Sequence, residues 1–68
     1  MNPALHDCLD ALAQASLALE NGRRREASVH YLEASLAAGE AFPLGSPQSE
    51  ALGCILAVVG DVIEARAA

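Results

Sequence analysis

Aromatic side chains are nearly missing from this chain: one tyrosine, one phenylalanine and no tryptophan in 68 residues. Without large rings a small core buries little area per residue, and burial contributes only ~25 cal/mol per Å². Basic residues are scarce too, four against nine acids for a net charge of −5. That balance argues against general affinity for nucleic acid or anionic membranes, both of which need basic patches. Two cysteines are too few for a disulfide framework. Cys8 and Cys54 are an even pair, but no basic region with a following apolar stretch opens the chain as a secretory signal would. The expectation is a cytoplasmic protein with two unpaired core thiols. No apolar run approaches the ~20 residues that span a bilayer, and Asp61 and Glu64 bound the longest one. No nucleophile elbow and no glycine-rich phosphate loop appear, so the sequence predicts neither an enzyme nor a cofactor.

What is abundant is alanine and leucine, within a hydrophobic fraction of 53%. That composition favours helix over strand. Asn2-Pro3 is an N-cap followed by proline at the first helical position, and Asn21-Gly22 is a stop signal. Ser46-Pro47 repeats the opening grammar, with Glu50 in the first turn. The sequence therefore predicts one all-α domain of three helices, about 3–20, 24–38 and 47–66. The first two form an antiparallel hairpin and the third packs across it. Chains this short rarely draw more than ~3–5 kcal/mol from their core, so a partner subunit is an economical remedy.

Helix one carries Leu5, Cys8, Leu9, Leu12, Ala15, Ser16 and Leu19 on one face, with Asp7, Gln14 and Ala18 opposite. Helix two has two apolar stripes, Val29-Leu32-Leu36 and Ala27-Tyr31-Ala34-Ala38, on nearly opposite sides. Two such faces predict a helix sandwiched between neighbours: helix one on one side, helix three or another subunit on the other. Phe42 and Leu44, in the connection around Pro43, are expected to tuck under the junction. Helix three is more apolar than two short companions can cover. Its aliphatic residues span roughly 160°, against about 100° for an ordinary surface helix. The expected contact surface for another chain is Leu52, Ile55, Leu56, Val59, Val62 and Ile63, with Val29 and Leu36 adjoining. Gly53, Ala57 and Gly60 share the other side of helix three. Glycine inside a helix costs about 1 kcal/mol relative to alanine; either this side approaches a neighbouring helix closely, or it is a thin, solvent-facing side next to Glu50, Asp61 and Glu64.

The stretch Asn21 to Ala34 resembles the inter-helix turn and second helix of a tetratricopeptide repeat, on Gly22, Ala27, Tyr31 and Ala34. Leu52-Gly53, Leu56 and Gly60-Asp61 look like the first helix and turn of a following repeat. The first helix has Ala11 and Gln14-Ala15 where the family has its tryptophan-type and leucine-glycine positions. The resemblance implies a helical module that binds protein.

Arg23, Arg24 and Arg25 hold three of the four basic residues, at the start of helix two. There they are a candidate contact for an anion or acidic partner, or a solvated turn neutralised by Glu20 and Glu26. His6 and Asp10 lie one turn apart, but two ligands do not close a metal site, and none is expected. His30 stands between Glu26 and Glu33 as a helix-surface pair. The functional expectation is a non-enzymatic protein–protein interaction module, assembling as a homo-oligomer or within a heteromeric complex, with no nucleic acid or membrane among its partners. The alternative is a small acidic inhibitor of a larger basic or nucleic-acid-binding protein. That role requires Asp7, Asp10, Glu26, Glu33, Glu40, Glu50, Asp61 and Glu64 to form one continuous patch.

Overall fold

Asn2 begins the fold by satisfying two ends of it. Its Oδ1 accepts the backbone N–H groups of Ala4 and Leu5, capping α1 (Pro3–Glu20), while its Nδ2 donates to the Ala41 carbonyl at 2.6 Å. The computed structural model describes residues 2–67, with side chains through Arg66. Helix α2 spans Arg24–Ala41 and α3 spans Pro47–Ala67. The all-α, three-helix arrangement predicted from the sequence is the observed one.

Most of the boundaries have a local cause. Gly22 adopts φ +73° after α1, and the Arg23 and Gly22 N–H groups donate to Ala18 and Leu19 carbonyls. This doubly bonded left-handed closure favours glycine because any Cβ is strained there. At the second turn Ser46 Oγ donates to the Pro43 carbonyl and accepts the Ser49 N–H, capping α3. Helix α2 ends three residues beyond its predicted limit, at Ala41, where extended Phe42 precedes Pro43. The residue before a proline avoids the helical region.

The core is two small clusters. Cys8, Ala34, Ala38, Ala41, Leu52 and Leu56 form one; Ala18, Leu19, Ala27 and Ile63 form the other. Tyr31 touches both. Helices α1 and α2 pack along their length, α3 lies mainly against α2, and α1 barely meets α3. Arg66 of α3 donates to the Leu19 carbonyl at 3.4 Å, so α1 and α3 run parallel with their C-terminal ends together.

Four expectations need correction. Helix α2 is not sandwiched between α1 and α3: its alanine stripe takes both neighbours, and Val29, Leu32 and Leu36 face out. Ala18 is buried although it lies off the leucine face of α1, because α2 sits over that edge. Phe42 packs against the first cluster, but Leu44 is 93% exposed. Cys8 is buried as expected, whereas Cys54 is exposed, and the two thiols are free.

The glycines of α3 differ. A Cβ on Gly60 would stand 2.9 Å from the Tyr31 hydroxyl oxygen and 3.2 Å from Cζ; at Gly53 it would meet nothing within 4 Å. The Tyr31 side chain, rather than a neighbouring backbone, therefore accounts for Gly60, and nothing comparable accounts for Gly53. Gly53→Ala is expected to stabilise the chain by about 0.5–1 kcal/mol, whereas Gly60→Val should destabilise it. Thermal melts of the two variants measure this, and a rise in Tm for Gly60→Val would refute the Tyr31 contact.

Candidate functional site

With so much alanine inside, many of the larger aliphatic side chains remain outside. Leu9, Leu17, Val29, Leu32, Leu36, Ile55, Val58 and Val62 are between 41% and 73% exposed. Scattered exposed leucines are ordinary, but contiguous apolar patches mark interaction surfaces. Leu17 lies by itself at the α1–α2 groove beside Gln14 and His30, and helical phase sorts the other seven into two faces. Val29, Leu32 and Leu36 form a narrow stripe on the back of α2, with Leu36 at the rim of the α1–α2 groove. Ile55, Val58 and Val62 lie on α3, on the flank nearer α1, where Leu9 of α1 opens to the same side.

The surface predicted from the sequence is thus divided. Leu52, Leu56 and Ile63 are buried in the chain's own core, and Val59 is half-buried against the second cluster. They are taken up within one chain. Ile55 and Val62 remain exposed, and Val29 and Leu36 belong to the other face, so they do not adjoin α3. Val58 and Leu9 join the exposed α3 face although sequence reasoning did not place them there. The signal for Val58 was its spacing. Ala51, Ile55, Val58, Val62 and Ala65 recur at four, three, four and three residues, the seam period of a coiled coil, and all five are exposed.

The charges separate as well. Asp7 and Asp10 of α1 face Glu33 and Glu40 of α2 across a groove that also holds His30. His30 Nδ1 lies 2.9 Å from Glu33 Oε1. Glu26 instead pairs with Arg23 at 3.6 Å. Asp61 and Glu64 line a different groove, between α2 and α3, together with Arg24, Ser28 and Tyr31. The three arginines line one shallow depression at the start of α2 with Gly22 and Glu26, while Arg23 also pairs with Glu26 and Arg24 also borders the α2–α3 groove. An exposed pair such as Arg23–Glu26 contributes at most about 1 kcal/mol.

Among the described residues no group of three or more His, Cys, Asp or Glu side chains converges on a point where a metal would sit. No described helix is long and apolar enough to cross a membrane. Burial pushes the Cys8 thiol pKa up, by desolvating the thiolate. Alkylation of the native chain is therefore expected to modify Cys54 in minutes and Cys8 only as the chain opens. Mass spectrometry over time reads this directly; equal rates at the two positions would contradict the buried placement of Cys8. No protein-family model matches the chain, and no curated protein or solved structure is significantly similar to it.

Proposed function

We propose that this chain is a non-enzymatic helical protein–protein interaction module, working as a homo-oligomer or as part of a heteromeric complex. The observation that carries this reading is the uncharged aliphatic flank of α3, Ile55, Val58 and Val62, left open beside Leu9 while alanines fill the core. Covering these side chains would add stability that three short helices draw poorly from their own packing. The tetratricopeptide-like hairpin, with Gly22 at the turn and Ala27, Tyr31 and Ala34 facing inward, is consistent with such a module.

The inhibitor reading draws on the groove where Asp7, Asp10, Glu33 and Glu40 gather. It is the weaker one. Asp61 and Glu64 border a different groove and Glu26 is paired, so the acids do not make the continuous patch that charge-matched blocking requires.

Sedimentation over a range of concentrations, combined with titration of an apolar fluorescent dye, tests the module reading. Self-association, or dye binding that Val58→Glu abolishes, is the expected result. A monomer that binds no dye would refute it.

A further inference from the structure

Granting the interaction reading, we infer that the occupant of the α3 flank is α3 of a second copy, antiparallel, about a two-fold axis between Leu56 and Ala57. The seam Ala51, Ile55, Val58, Val62 and Ala65 is exposed along its length and carries no charge. In an antiparallel pair, seam positions of one type meet those of the other. Centring the axis between Leu56 and Ala57 sets Ile55 against Val58 of the second copy and Val62 against Ala51, so bulky residues meet each other at the middle and a valine meets an alanine further out on each side.

Charge selects this register. Moving the axis half a heptad, to about residue 60, would bring Asp61 close to its own copy, and like charges at that distance repel. With the axis at 56–57, the two Asp61 side chains stand roughly 13 Å apart along the helices, at 1.5 Å per residue. The seam on the back of α2 has no equivalent escape: Glu26, Glu33 and Glu40 form a row along one flank, and antiparallel pairing sets like flanks together.

A second observation agrees. Since Arg66 reaches the Leu19 carbonyl and the helices are parallel, Leu9 stands level with about residue 56 of α3. The exposed leucine of α1 is thus at the height of the axis, where a second α3 would cover it. The area is modest. These half-exposed side chains and their flanking alanines amount to on the order of 400 Å² per chain, below the standard interface and in the range of reversible complexes.

Sedimentation equilibrium from about 1 to about 500 µM, the span over which so small an interface dissociates, tests the proposal on three proteins. The wild-type chain should pass reversibly from monomer to dimer. Val58→Glu should weaken the dimer at least about tenfold, and Leu36→Glu should leave it intact; circular dichroism checks that each variant keeps its helices. Orientation is read by mixing two chains in a Cys54→Ser background, one with Ile55→Cys and one with Val58→Cys. Antiparallel pairing predicts faster cross-linking between unlike chains than between like ones. Faster cross-linking between like chains, or a dimer disrupted by Leu36→Glu and not by Val58→Glu, would overturn the proposal. A wild-type monomer throughout would also overturn it. If that monomer binds the apolar dye through Val58, the module reading survives with a different partner; if it binds none, both fall.

Discussion

Leu56→Ala is expected to leave much of the chain unfolded at room temperature. Leu56 is 9% exposed and packs among Cys8, Ala34, Ala38, Ala41 and Leu52. Four of those five neighbours are alanine or cysteine and cannot reach into the space vacated, while Leu5, Leu12, Tyr31 and Phe42 pack at the edge of the cluster. Such truncations cost about 2–5 kcal/mol, the more the less the site collapses. A domain of this size has roughly 3–5 kcal/mol to lose. Leu36→Ala removes the same atoms from a side chain 73% exposed on the back of α2, and should change stability by less than about 0.5 kcal/mol. Urea titration followed by helical circular dichroism compares the two. Equal losses would mean that α3 is not docked as described.

Ala34→Leu is the opposite experiment and the second large effect. Ala34 is fully buried on the face of α2 that takes both neighbouring helices. Three added carbons there must push a helix away, at a cost of typically 1–3 kcal/mol and here near the top of that range. Because Ala34 and Leu56 belong to the same cluster, the double variant Ala34→Leu/Leu56→Ala exchanges volume across one contact. It should be more stable than the sum of the single changes predicts, by more than about 1 kcal/mol. Strict additivity, measured by the same titration, would separate the two residues in space.

The helices were legible because their punctuation is local. Asn2-Pro3, Asn21-Gly22 and Ser46-Pro47 work through neighbours a few residues away, and the structure realises all three. The end of α2 was less legible, since Ala41 is held by burial and by the Asn2 amide 39 residues earlier. Least legible was the facing of the helices. On α2 the sequence offers a leucine-rich stripe and an alanine-rich one, and apolar area alone favours burying the leucines. The alanine stripe goes inside because small side chains let α1 and α3 approach α2 on a single face, with Tyr31 filling the space beside Gly60. The same choice explains the candidate surface. A period of 3.6 residues showed that α3 was too apolar, but Leu52, Leu56 and Ile63 separate from Ile55, Val58 and Val62 only once the directions of two neighbours are known.

The double duty of Asn2 means that the hairpin distinguishes an amide from an acid at one nitrogen. The substitution Asn2→Asp would keep the oxygen that caps α1, and the added negative charge there suits the helix dipole. It would also replace the donor facing the Ala41 carbonyl with a second acceptor, setting two oxygens against each other where one bond now joins the start of α1 to the end of α2. That single exchange of nitrogen for oxygen would strengthen a helix and loosen the fold at once.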